Sequence, residues 1–271
     1  MGDADATSGY APVNGLEMYY EIHGTGEPLV LLRGGVGASE VFDAMVPVFA
    51  ERRQVITVDL QAHGRTRDID RPLRYEAMAD DVAGLMAHLG IARADFLGYS
   101  MGGGVALQTA IRYPESVGRL VVVSMTMMRD GSYPEVLALF DQMETNAPQI
   151  AAQMTRSPLA ERYPEAEWEV IFTKIGEMET RDYDWSDDVA AIASPTMLVF
   201  ADADSIRPEH IVEFYALLGG GQRDAGLDGS GRATARLAIL PGTTHYDILS
   251  FPGLAAIVTS FLDAPLPESG P

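Results

Sequence analysis

Two rhythms of apolar residues alternate along this chain. Tyr10 to Ile22 switches between apolar and polar positions around Asn14-Gly15, a dipeptide suited to a tight hairpin turn. Gly24-Thr25-Gly26-Glu27 then turns the chain into Pro28-Leu29-Val30-Leu31-Leu32, whose consecutive apolar residues suit a strand buried on both faces. A glycine-rich loop, Arg33 to Ser39, follows, and Val41, Phe42, Met45, Val46 and Phe49 mark a helix face. Gln54 to Asp59 is a second buried strand. After the loop Leu60 to Arg71, Tyr75, Met78, Ala79, Val82, Leu85, Met86 and Leu89 repeat at three and four residues, predicting an amphipathic helix that stops at Gly90. A strand from Ala94, a helix over Gly102 to Arg112 and a strand over Arg119 to Met125 complete the first half. This alternation predicts an α/β fold with a mostly parallel central sheet flanked by helices.

From Thr126 to Ser194 the alternation stops. Helical pieces at Glu135 to Glu144, Ala147 to Met154 and Glu165 to Thr180 are predicted, broken by Pro148, Pro158 and Pro164. The alternation resumes with a strand at Pro195 to Ala201, a helix at Glu209 to Leu218, a strand at Ala235 to Leu240 and a helix at Leu249 to Leu262. Residues 126–194 therefore read as a helical cap inserted into a core built from 1–125 and 195–271. Gly219 to Gly231 reads as a mobile surface loop and Pro265 to Pro271 as a frayed tail.

The chemistry centres on Gly98-Tyr99-Ser100-Met101-Gly102-Gly103. A serine on a sharp strand-to-helix turn projects its Oγ away from both elements, and glycines two residues to either side let strand and helix pass closely. As a bare pattern, Gly-x-Ser-x-Gly is weak. Its weight comes from what the serine needs: a general base, and a partner that fixes the base's tautomer. His245, in Gly242-Thr243-Thr244-His245, follows the last predicted strand, and Asp202 and Asp204 follow the one before it. All lie at carboxyl ends of parallel strands, as Ser100 does, so they can meet above one sheet edge. The developing oxyanion needs two donors. Met101 offers its amide at the start of a helix, and Gly35 offers another from a loop that approaches closely.

These segments, with Asp59 through His63-Gly64-Arg65-Thr66, resemble the α/β-hydrolase superfamily and its esterase and lactonase-like members over nearly the whole chain. The resemblance implies the α/β-hydrolase fold with a helical cap and a Ser100–His245–acid triad, with the acid carried over to Asp204. It implies no cofactor. The chain departs from the family at Arg33, where histidine usually precedes the glycine, and at Ala62, where glycine usually precedes the histidine.

Composition narrows the substrate. The formal net charge of −20 repels phosphate backbones and so excludes nucleic acid as a partner. Residues 126–194 hold 14 acidic and 5 basic side chains, which favours neutral or cationic substrates over anionic ones. Six of the 13 methionines, Met125, Met127, Met128, Met143, Met154 and Met178, fall in or beside this segment, as core filling or as a plastic roof for bulky substrates. Arg33, Tyr99, Met125 and Met128 are the candidate pocket lining; Arg33 reaches solvent or an acidic neighbour, or else binds a polar substrate group. His23, His63, His88 and His210 have no metal-ligand spacing, so no catalytic metal is expected. With no cysteine, no targeting pattern at Met1 to Gly9 and no long apolar run, a cytoplasmic protein without membrane attachment is expected. It would act as a monomer or dimer on a bulky small-molecule ester or lactone, such as the amine-bearing macrolides that some similar hydrolases open. Competing uses of the same residues are a cofactor-free perhydrolase or haloperoxidase-like activity and a noncatalytic ligand receptor.

Overall fold

A computed structural model describes residues 6–37 and 39–265; the tail from 266 and residues 1–5 lie outside the described part. Eight strands form one sheet in the order β1-β2-β4-β3-β5-β6-β7-β8: β1 Thr7–Val13, β2 Leu16–His23, β3 Glu27–Leu32, β4 Arg53–Val58, β5 Ala94–Tyr99, β6 Val117–Val123, β7 Thr196–Ala203 and β8 Arg236–Thr244. β1 and β2 pair antiparallel through a two-residue turn in which Asn14 and Gly15 both take positive φ (49° and 88°), the hairpin anticipated for that dipeptide. β2 runs antiparallel to β4, and every pairing from β4 to β8 is parallel.

The parallel strands are covered on both faces because their side chains alternate between two apolar layers. Val30, Leu32, Ile56, Phe96, Val122 and Phe200 face α2 (Tyr75–His88), α3 (Met101–Arg112) and α8 (Pro208–Leu217). Leu29, Leu31, Val55, Leu97, Val121 and Val199 face α1 (Val46–Ala50) and α9 (Leu254–Leu262). The predicted face of α2 is buried, and the helix terminates at Gly90 with φ 71°.

Between β6 and β7 lie α4 (Pro134–Met154), α5 (Pro158–Arg162), α6 (Trp168–Glu179) and α7 (Ser186–Ala190). Pro148 does not break the first of these as expected. α4 runs through it for 21 residues because α6 packs closely against it, with Gly176 so near the Glu144 backbone that a side chain there would collide. Pro158 and Pro164 do act as boundaries: Pro158 opens α5 behind the Ser157 cap and Pro164 follows its end. α7 escaped the pattern, since five residues carry too little periodicity.

Other boundaries shift for local reasons. The apolar face at Val41 to Phe49 splits into a 3₁₀ turn, Ser39–Phe42, and α1, whose second residue is Pro47. β8 continues beyond Leu240 through Pro241 to Thr244, tolerated because β8 is an edge strand with no ladder partner beyond it. Pro252 separates the 3₁₀ turn Ile248–Ser250 from α9. Among the described residues no helix is long and apolar enough to cross a membrane.

Candidate active site

The parallel strands deliver their carboxyl ends to one edge in the order β3, β5, β6, β7, β8, and the loops leaving them carry Gly34–Gly35, Ser100, Ser124, Asp204 and His245. Ser100 occupies the turn between β5 and α3 at φ 51°, ψ −124°, a conformation that non-glycine residues rarely adopt. The turn is enforced by contact. A methyl on Gly98 would run into the Gly102 carbonyl, and one on Gly102 into the carbonyls of Leu32 and Arg33. The Ser100 amide bonds to Val123 O at 2.9 Å, tying the turn to β6.

Ser100 Oγ lies 3.0 Å from His245 Nε2, and His245 Nδ1 lies 3.0 Å from Asp204 Oδ1. The structure brings these three together and places Asp202 elsewhere: the Asp202 carboxylate accepts from the amides of Gly242 (2.9 Å) and Thr243 (3.2 Å), holding the strand that leads to His245. Asp204 is almost wholly enclosed, its side chain 1% exposed. Burial alone would raise its pKa, but the hydrogen bond and charge of His245, the Ser124 hydroxyl and the Ala201 amide outweigh that and hold it below the ordinary carboxylate value. The donors are Ser124 Oγ (2.6 Å), Ala201 N (3.0 Å) and Ser205 N (2.8 Å). With Asp204 as an acceptor, a proton on Nδ1 of His245 would face it and leave Nε2 as an acceptor toward Ser100.

Ser124 and Ser205 were not anticipated. Ser124 ends β6 next to the Ser100 strand, is buried, and holds φ 49°, a second left-handed non-glycine residue at this edge. Its signal in the chain was present, a polar residue at the carboxyl end of a predicted strand. Ser205 Oγ lies 3.0 Å from His245 Nδ1 as a further neighbour of the Asp204 carboxylate.

Among the described residues neither the Gly35 nor the Met101 amide has a hydrogen-bond partner. Gly35 lies beside the Met101 side chain and beneath Ile175 of α6. Tyr99, expected in the pocket lining, is half-buried; its hydroxyl donates to the His245 carbonyl at 2.6 Å and its ring lies against Gly34. Met125 packs on Gly103 and Gly104; Met128 is half-buried and Met127 fully buried.

Arg33 is corrected most. It neither reaches solvent nor opens onto a pocket, being 1% exposed. Nη1 donates to its own loop, to Gly34 O at 2.6 Å, while Nε and Nη2 have no partner among the described residues. Burial pushes its pKa down to about 10 against the opposing charges of Asp59 and Glu40, so it remains a cation at neutral pH. Arg33 therefore supports the loop from behind. Beside it Asp59 accepts from the amides of Ser39 and Arg65, and Gly64 (φ 55°) is required because a side chain there would strike the Asp59 carboxylate. Burial and the Arg33 charge keep His63 neutral, its pKa well below the usual histidine value, with Nδ1 bonded to Gln61 O at 2.7 Å. Ala62, where a glycine was noted as usual, adopts φ 67°.

The helices between β6 and β7 are fastened to this edge by polar contacts. Tyr163 and Arg162 of the α5 region meet Glu40, Lys174 meets Asp68 at 2.5 Å, and the Tyr75 hydroxyl donates to Glu179 at 2.7 Å. Tyr183 and Thr126 share a hydrogen bond of 2.7 Å. Cavities of about 480 and 760 Å³ border α6, one reaching the loop 62–68 and the other α4; Ser100, His245 and Asp204 line neither.

Residues 27–166 match the profile of a family described as alpha/beta hydrolase fold. The putative carbamate hydrolase RutD of Azorhizobium caulinodans is 28% identical over 263 residues, covering 90% of this chain and 98% of that protein. The sn-1-specific diacylglycerol lipase ABHD11 of Danio rerio is 31% identical over 161 residues, 58% of this chain; the chain spans only half, 50%, of that lipase. Among solved structures, the enol-lactonase of Burkholderia xenovorans LB400 superposes with a TM-score of 0.72 at 23% identity, covering 94% of this chain and 100% of that one.

Proposed function

Because this chain belongs to the alpha/beta hydrolase family, we propose that it is a serine hydrolase that opens carboxylic esters or lactones through an acyl-enzyme. The observation that carries the reading is the relay of two 3.0 Å contacts, Ser100 Oγ to His245 Nε2 and His245 Nδ1 to Asp204 Oδ1, on a serine with φ 51°. His245 Nε2 takes the Ser100 proton as Oγ bonds to the substrate carbonyl carbon, and the amides of Gly35 and Met101 receive the oxyanion. The imidazolium returns the proton to the departing alkoxide, and water then attacks the acyl group with His245 again as base. Asp204 stays ionised and holds the imidazole in register. Residues 126–194 act as a cap, and their acidic excess favours neutral or amine-bearing substrates, macrolide-type lactones among them. Carbamate, the substrate class in the name of the relative matched over most of its length, presents a similar carbonyl to the same groups.

A fluorophosphonate probe is expected to add one covalent mass at Ser100, with fluoride leaving. Labelling should vanish in Ser100→Ala and slow strongly in His245→Ala. Hydrolysis should fall on the order of a millionfold in Ser100→Ala, as in a comparable triad. A folded Ser100→Ala variant that keeps near-normal turnover would overturn the reading.

A further inference from the structure

The proposed mechanism leaves one charged group at the site without a task. Glu179 closes α6, one helical turn after Ile175, and residues four apart share a helix face. Ile175 lies over Gly35, so Glu179 hangs from the same face above the Ser100 edge. Its position is fixed from below. The Tyr75 hydroxyl donates to Glu179 Oε1 at 2.7 Å, and the Tyr75 ring rests on Gly104, in the first turn of α3, whose amide bonds to Ser100 O at 3.2 Å.

No cation is paired with this carboxylate among the described residues. Arg129 is the nearby candidate, yet its Nε donates to the Glu179 main-chain carbonyl (2.8 Å) and its Nη2 to Asp141 (2.5 Å). Three aromatic rings line the same side: Tyr75, Tyr183 and Trp185, with centroids 4.5 to 5.8 Å apart. They are brought there by the segment 183–185 running back along 127–129, where the Trp185 amide bonds to Met127 O at 2.9 Å and the Arg129 amide to Tyr183 O at 3.0 Å. Burial raises the Glu179 pKa against the Tyr75 hydrogen bond and the Arg129 charge. A half-buried structural carboxyl is commonly met by a neighbouring arginine or lysine. Here no cation partner is present among the described residues, and Tyr75, with the Tyr183 and Trp185 rings packed on it, stands beside the carboxylate, a combination that recognises ammonium groups.

We propose that Glu179 is a substrate-specificity residue, the subsite for a cationic amine carried by the ester or lactone, held in place by Tyr75 and walled by Tyr183. This rests on the serine-hydrolase reading, and the test separates the two. Hydrolysis would be compared for matched esters that carry trimethylammonium or its neutral tert-butyl isostere. The group is placed in the alcohol part in one pair and in the acyl part in the other. The wild type should prefer the cation in at least one pair. Glu179→Gln, whose amide oxygen still accepts from Tyr75, should lower kcat/KM for that cation by about 10- to 100-fold and leave the isostere within about threefold. The rate of fluorophosphonate addition at Ser100, measured in parallel, should be unchanged by the substitution. Equal loss on cation and isostere, or no cation preference in either pair of a wild type that labels at Ser100, would overturn the subsite while leaving the hydrolase standing. A wild type that fails to label would remove both.

Discussion

Ser124 offers the sharpest test of how the acid of the site is held, because one substitution separates a hydrogen bond from backbone strain. Its hydroxyl donates to Asp204 at 2.6 Å in a buried setting, and its backbone sits at φ 49°. Ser124→Ala removes the hydroxyl and keeps the strain. A hydrogen bond to a buried charged group contributes about 1.5–3 kcal/mol, so a loss of about 2 kcal/mol is expected, with Ala201 N and Ser205 N still serving the carboxylate. Ser124→Gly removes the same hydroxyl and also relieves the left-handed strain, worth about 1 kcal/mol, so it should lose only about half as much. In a domain of this size 2 kcal/mol corresponds to roughly 4–8 °C in melting temperature. Thermal and urea unfolding at pH 7, followed by the fluorescence of Trp168 and Trp185, reads both variants. The order wild type, then Gly, then Ala is the expected result. An alanine variant as stable as wild type would show that the hydroxyl adds nothing to the ionised Asp204. A glycine variant no better than alanine would refute the strain argument.

Further outcomes follow from the same geometry. Asp204→Asn should cost about 10⁴-fold in kcat by fixing the wrong tautomer of His245, while Asp202→Asn, which keeps an acceptor for Gly242 and Thr243, should stay within about tenfold; steady-state kinetics on any turned-over ester decides between them. Ala62→Gly should raise stability by about 1 kcal/mol in urea denaturation, since φ 67° suits glycine. His210 is buried with its pKa pushed down to about 4, chiefly by burial and then by the Arg207 charge, and its Nε2 accepts from the Met127 amide. The unfolded histidine binds its proton near pH 6.5, so the stability this neutral form supports is complete above that value and is lost as pH falls toward 4. Between pH 7 and pH 5 the loss from this residue should be about 2 kcal/mol. His210→Gln, which retains an acceptor, should unfold with a correspondingly shallower dependence over that interval.

Much of the fold was legible in the chain because periodicity reports burial directly. Consecutive apolar residues at Leu29 to Leu32 marked a strand enclosed on both faces, the three-four spacing of Tyr75 to Leu89 marked α2, and Asn14-Gly15 marked the hairpin. Ser100, Asp204 and His245 could be drawn together because each follows a strand, and parallel strands leave their carboxyl ends on one side. What failed at this level was local chemistry whose meaning depends on neighbours far along the chain. Pro148 reads as a breaker until α6 packs against α4 at Gly176, and Pro241 reads as a strand end until β8 proves to be an edge.

The sequence by itself determined the order of strands and helices, the strained serine turn and the residue types gathered at its edge, since these depend on spacing, glycine placement and side-chain chemistry. Only the tertiary structure decided that Asp204 rather than Asp202 meets His245, that Ser124 and Tyr99 bond to Asp204 and His245, that Arg33 turns inward beneath its loop, and that Glu179 bonds to Tyr75 without a cation among the described residues. Most of those outcomes are contacts between residues tens of positions apart, up to 146 for Tyr99 and His245, and no pattern within a single element encodes which side chain lies opposite another.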